Sequence, residues 1–213
     1  LKTRCSENNS KGCGGVMRVA PIGLLGPAGF SSERLFELGA EAAKITHGHP
    51  SGYLSAGYLT VVISALVKGV SLEAAIDLAG LYLAAYPDHA EVSAAAQRSV
   101  DLARRGEPSP EKVESLGEGW VAEEALAIGL YSALTASSFE EGVLLAVNHS
   151  GDSDSTGSIT GQILGTMLGV AAIPNRWLDN LELRDTIDIL SRDLHAISLG
   201  DALSVPVAAI SHR

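Results

Sequence analysis

Along most of this chain apolar residues recur at the three- and four-residue spacing of a helix, and strict alternation is almost absent. The first twenty residues are polar and glycine-rich, and residues 16–25 form a short apolar run containing Pro21. Ser31 and Ser32 ahead of Glu33 and Arg34 give an N-cap signal that opens a helix to about residue 47. Pro50 and Ser51 introduce an apolar helix over 51–68, closed by Gly69. A third helix begins at Ser71 and ends near Pro87. A fourth runs over about 89–105, where Arg104 and Arg105 suit the negative end of its dipole. Residues 106–119 read as a surface connection around a short helix. Segments 121–135, 138–149, 152 to about 171, and 184–198 complete the pattern. The expectation is an all-α, single-domain compact bundle of about eight to ten helices over residues 1–213.

One helix in this pattern is unusual. Gly157, Gly161, Gly165 and Gly169 recur every four residues and so share one face. Each costs roughly 1 kcal/mol of helix propensity relative to alanine. The expected compensation is close packing at the centre of the bundle.

Composition narrows the function classes. Of 213 residues 46% are hydrophobic and only 5% aromatic, with Ala and Leu prominent, as suits helices. A net charge of −10 and a pI near 5.0 leave no basic footprint for nucleic acid. Two cysteines, Cys5 and Cys13, are too few for a disulfide framework. No signal peptide is evident, and the apolar stretch 163–173 is too short to span a bilayer. The expectation is a cytoplasmic protein without a membrane segment. The chain opens at Leu1, without an initiator Met and inside a polar segment, so further residues are expected to precede it.

The densest chemistry lies in Ser150-Gly151-Asp152-Ser153-Asp154-Ser155-Thr156-Gly157, which runs straight into the glycine helix. Clustered carboxylates and hydroxyls are what hard divalent cations take as ligands. A helix N-cap uses the same residue types, but one Asp would satisfy it. Asp152, Asp154, Thr156 and Gly157 also fit positions 1, 3, 5 and 6 of a calcium loop, yet position 12 is Ile163 where that loop requires Glu. A second segment, Asn8 to Arg18 (NNSKGCGGVMR), has closely spaced glycines that let N–H groups approach an anion, although a flexible loop has the same composition. The third, Thr46-His47-Gly48-His49-Pro50, lies between two helices, where a helix C-cap is the alternative reading. No nearby Cys or carboxylate cluster makes its two histidines a zinc site. A Cys13–His47 nucleophile and base pair rests on residue types alone.

Together these segments, with Gly119-Trp120-Val121-Ala122-Glu123-Glu124-Ala125, resemble the ADP-ribosylglycohydrolase family, in the family's order and over nearly the whole chain. The resemblance implies an all-α fold with two Mg²⁺ ions, or Mn²⁺ in their place, in a cleft. It implies that Asp152, Asp154 and Ser155 are metal ligands and that the two aspartates are catalytic. It implies that Gly12, Cys13 and Gly14 line the diphosphate and ribose, backed by Met17 and Arg18. His47 would contact the ligand, and Trp120, Val121 and Glu123 would sit at the adenosine end. The implied activity is metal-dependent cleavage of the N- or O-glycosidic bond of ADP-ribose on a protein side chain or small acceptor. Members also carry an N-terminal Gly-Asp motif and a Thr-Asp-Asp motif that supply further ligands, and residues 1–7 contain neither. This departure fits a chain that has lost its N-terminal segment. The alternative is a catalytically incomplete ADP-ribose or nucleotide-binding module.

Overall fold

The computed structural model describes residues 6–200, so Leu1 and Cys5 lie outside the described residues. Within them every regular element is helical: α1 (Ala20–Gly23), α2 (Ser32–Lys44), α3 (Pro50–Val67), α4 (Leu72–Leu83), α5 (Ala90–Ala103), α6 (Pro110–Glu114), α7 (Ala122–Thr135), α8 (Phe139–Val147), α9 (Ser153–Leu168), α10 (Asn175–Leu178) and α11 (Arg184–Leu199). Three 3-10 turns (Cys13–Arg18, Gly26–Ala28 and Val170–Ala172) join them. The fold is all-α, as the hydrophobic pattern requires.

Four of the helix starts are written in the local chemistry. The hydroxyls of Ser31, Ser71, Ser109 and Ser138 accept the N–H groups of Arg34, Ala74, Lys112 and Glu141, satisfying donors that a first turn leaves open. The ends differ from the periodic pattern by a few residues. The second helix stops at Lys44 because the turn after it is held by the N-terminal loop, where Asn8 accepts from Gly48 N–H and donates to Thr46 O. The glycine helix stops at Leu168, where Gly169 adopts a φ of 76°.

The centre of the bundle is α3. Fifteen of its eighteen residues are buried, and such an all-round apolar helix needs neighbours on every side. It packs on α2, α4, α7 and α9. By length and composition α3 is apolar enough to cross a membrane, as the shorter stretch 163–173 is not; within the fold 83% of it is buried as the core helix. Gly57 lets α2 approach, since a Cβ there would stand 2.7 Å from the Phe36 ring. The helix α7 lies beside α3 and carries α9, with Gly129 under Ile159.

The glycine row of α9 has a different place from the one expected. The buried face of that helix is Ser155, Thr156, Ile159, Thr160, Ile163 and Leu164, while Gly157, Gly161 and Gly165 lie half-buried on the flank toward α8 and Gly169 is exposed beyond the helix end. A Cβ at Gly157 would press on Val147 at 2.6 Å, but at Gly161 and Gly165 it would make ordinary contact with Phe139 at 3.8 Å. Only the first glycine of the row is sterically required, and it is the one next to the acidic segment.

Candidate functional site

The N-terminal glycine loop is fixed to the start of α7 by main-chain bonds. Gly12 and Val121 form an isolated antiparallel bridge, in which Cys13 N–H donates to Trp120 O at 3.2 Å and Ala122 N–H donates to Lys11 O at 2.8 Å. The loop then tightens into the 3-10 turn over Cys13–Arg18. From behind, Gln162 of α9 donates to Met17 O at 2.6 Å, and Arg18 donates to Ala42 O and to Thr46 Oγ1.

The acidic segment is held as firmly. Asp152 N–H donates to Glu118 O at 2.7 Å, and Glu124 accepts the N–H groups of Glu118 and Gly119, so the two turns brace each other. Gly151 N–H donates to His149 Nδ1, which leaves Nε2 to donate to Thr156 Oγ1; that hydroxyl in turn donates to Ala146 O. Asp152 occupies the N-cap position of α9, yet its side chain makes no capping hydrogen bond. Its Oδ2 instead accepts the Cys13 thiol at 2.8 Å, and Ser155 Oγ lies 3.2 Å from the same sulfur. Glycine loop and acidic helix start therefore meet at one point.

The two carboxyls next to each other cannot both carry charge freely. Burial opposes ionisation of Asp152, but hydrogen bonds with Asp154, Cys13 and Ser155 outweigh it and hold this carboxyl below its usual range. The hydrogen bond with Asp152, and then its negative charge, push Asp154 up. Burial, followed by the Asp152 contact, pushes the Cys13 thiol up as well, so the sulfur stays protonated and acts as donor. Asp152 is buried and Asp154 exposed, so the pair presents negative charge at the surface end of α9.

Two carboxylates and a hydroxyl are hard oxygen donors, and crowded carboxylates are relieved by a cation, so Asp152, Asp154 and Ser155 fit a magnesium or manganese ion. They are a partial set. Among the described residues no group of three or more His, Cys, Asp or Glu side chains gathers as a metal site.

His47 lies on the other side of the glycine loop. Its Nε2 stands 3.5 Å from where a Cβ at Gly12 would be and 3.7 Å from one at Gly14, ordinary contact distances, while a Cβ at Gly15 would press on Nδ1 at 3.2 Å. Arg18 donates to Thr46 Oγ1 at 2.6 Å, and the Thr46 hydroxyl has His47 Nδ1 at 2.8 Å, closer than Ala43 O at 3.4 Å. The Nε2 of His47 is the ring nitrogen that faces the loop. Burial, then the Arg18 charge, lower the pKa of His47, which keeps the ring neutral at neutral pH.

The remaining residues expected at the site are placed differently from one another. Trp120 is 58% exposed and enters the clamp through its carbonyl alone. Val121 pairs with Gly12. Glu123 is 7% exposed, and its Oε1 is bonded to Lys11, whose ammonium also lies 2.9 Å from Glu91 Oε2. Glu91 further accepts the Ser51 hydroxyl. Lys11, Glu91, Gln162 and Glu124 are the supporting residues that sequence reasoning passed over. Lys11 stood inside a singled-out motif, but partners so far along the chain leave no local trace.

The chain matches the family model described as ADP-ribosylglycohydrolase over residues 2–210. It is 30% identical over 192 residues to an uncharacterized protein of Archaeoglobus fulgidus, covering 88% of this chain and 59% of that protein. To the ADP-ribosylarginine hydrolase Tri1 of Serratia proteamaculans it is 25% identical, over 89% of this chain and 48% of the relative. To mouse ADP-ribosylhydrolase ARH3 it is 24% identical, over 92% and 60%. Among solved structures it is similar to an ADP-ribosylglycohydrolase-related protein complex, with a TM-score of 0.72 and 28% identity over 88% of this chain and 61% of that one. The chain thus spans about half to three fifths of the length of these relatives.

Proposed function

This chain belongs to the ADP-ribosylglycohydrolase family, and from that premise we propose that it forms the ligand-binding part of a hydrolase that frees ADP-ribose from a protein side chain or small acceptor. The observation that carries the reading is the junction of Cys13 with Asp152 and Ser155, which sets an anion-suited glycine loop directly against a pair of carboxyls.

In this reading the loop at Gly12, Cys13 and Gly14 takes the diphosphate and proximal ribose; the N–H groups of Gly12 and Cys13 already donate to Ser10 Oγ and Trp120 O, so the Gly14 N–H at the start of the 3-10 turn is its main-chain donor. His47 Nε2 adds a neutral ring nitrogen on the same side, and Arg18 acts through Thr46 to keep that ring oriented. Exposed Trp120 offers a flat apolar face for the adenosine end. Cleavage breaks the bond from C1″ of the distal ribose to nitrogen or oxygen while water adds to C1″, and positive charge builds on the sugar as the bond lengthens. Mg²⁺, or Mn²⁺ in its place, held by Asp152, Asp154 and Ser155 with ligands from elsewhere, would orient ribose hydroxyls and make a bound water more acidic.

The partial donor set among the described residues favours one second reading, a module that binds ADP-ribose or a related nucleotide without cleaving it. One experiment separates the two. ADP-ribose release is measured from arginine-linked and serine-linked substrates, with Mg²⁺ and with EDTA, beside calorimetric binding of free ADP-ribose. Release that EDTA abolishes supports the hydrolase; binding without release supports the module; neither release nor binding would remove both.

A further inference from the structure

We propose that Lys11 is a positioning residue: held between carboxylates of two helices, it sets where Gly12, Cys13 and Gly14 sit and thereby the affinity for ADP-ribose. The inference rests on reading that loop as the ADP-ribose subsite. Lys11 lies immediately before the loop, and its carbonyl accepts Ala122 N–H. Its ammonium bonds Glu123 of α7 and, at 2.9 Å, Glu91 of α5, while Ser51 of α3 donates to the same Glu91 oxygen. Three helices are thus tied to a single side chain at the loop's edge.

The main-chain bridge to α7 is one of several holds on the loop. The segment is also held by His49 N–H on Ser10 O, by Cys13 on Asp152 and by Gln162 on Met17 O, and the lysine side chain adds the tie to α5 and α7 at residue 11 itself. Glu123 is buried, its Oε1 bonded to Lys11, and its Oε2 has no hydrogen-bond partner, so Lys11 supplies its counter-charge. Desolvating a carboxylate offsets much of the attraction such a pair gains, so its main yield is a fixed position rather than net stability.

The test uses the intact protein and two readouts. One is the rate at which iodoacetamide alkylates Cys13, followed on its own peptide; the other is the affinity for ADP-ribose. In Lys11→Met, loss of the tether raises the Cys13 rate about tenfold and weakens ADP-ribose by about the same factor, as a loosened local structure would. Lys11→Arg, which keeps the charge and can span both carboxylates, returns both toward the parent. Should Lys11→Met fold poorly with an isolated charge at Glu123, Lys11→Met/Glu123→Gln removes that charge and regains the melting temperature, while the Cys13 rate stays high. An unchanged Cys13 rate in the single and double variants would overturn the proposal. So would a double variant in which rate and affinity recover along with the melting temperature, because Lys11 would then only balance a charge. If the parent protein fails to bind ADP-ribose while the Cys13 rate still responds, the ligand reading falls and the role in placing the loop stands.

Discussion

The thiol of Cys13 donates to Asp152 Oδ2 across 2.8 Å, so one small side chain joins the loop suited to an anion with the carboxyl suited to a cation. A ligand lying along the loop must cover this sulfur. ADP-ribose is therefore expected to slow alkylation of Cys13 by iodoacetamide in proportion to its occupancy. Cys13→Ala should weaken ADP-ribose binding and cost about 1 kcal/mol of stability, the typical value of one partly buried hydrogen bond. Alkylation that proceeds at the same rate with saturating ADP-ribose would place the ligand elsewhere.

Asp154 is exposed and touches its neighbour's carboxyl rather than the core. Asp154→Ala should abolish Mg²⁺-dependent release of ADP-ribose and leave the melting temperature unchanged. Near-normal turnover in this variant would refute the metal-ligand assignment.

Gly151 meets the backbone of Glu118 so closely that a Cβ would collide with that carbonyl. The obstacle is main chain and cannot rotate away. Gly151→Ala should lower stability by about 1–3 kcal/mol through overpacking and shift Asp152 away from Cys13. Urea unfolding reads the first effect, and the rate of Cys13 alkylation reads the second.

His47 has a pKa below its ordinary 6.5 in the fold, chiefly through burial and secondly through Arg18. The unfolded chain then binds more protons than the folded one once the pH drops below 6.5. Stability from this residue is fully present above that pH and is lost as the pH falls toward the lower folded value. His47→Gln should flatten that part of the stability profile. A parent and variant with parallel profiles between neutral and mildly acidic pH would contradict it.

Trp120 contributes its carbonyl to the clamp and leaves its ring exposed. Trp120→Ala should therefore keep the fold and the loop. Its affinity for ADP-ribose should fall several-fold while that for ribose 5-phosphate, which lacks adenosine, is unchanged. Equal losses for both ligands would move the adenosine end away from this residue.

Most of the helices were legible in the sequence because their signals are local. Serine caps and apolar spacing lie within one or two turns, and α2 to α9 and α11 follow from them. The short α1 and α10 escaped because four residues show no period. Asp152 and Asp154 stand out in the sequence because their run carries more acids and hydroxyls than a cap requires, whereas the run of Cys13 has the composition of any flexible glycine loop. The supports were not legible. Lys11 finds Glu123 across 112 residues, and nothing beside either one announces the other. The glycine row misled for a related reason: its period fixes a shared face but not the neighbour that face meets.

The contact between Cys13 and Asp152 spans 139 residues of sequence. Loop-closure entropy disfavours such a contact until the intervening chain has condensed. During vectorial synthesis the glycine loop leaves the ribosome long before α7 and α9, the elements that receive it. It waits without its partners through most of translation. The site is consequently expected to form late, after the helices that carry its two halves have packed. Conditions that disturb assembly can then yield a chain with native helix content and no ligand binding, a state that bulk measures of folding would score as intact.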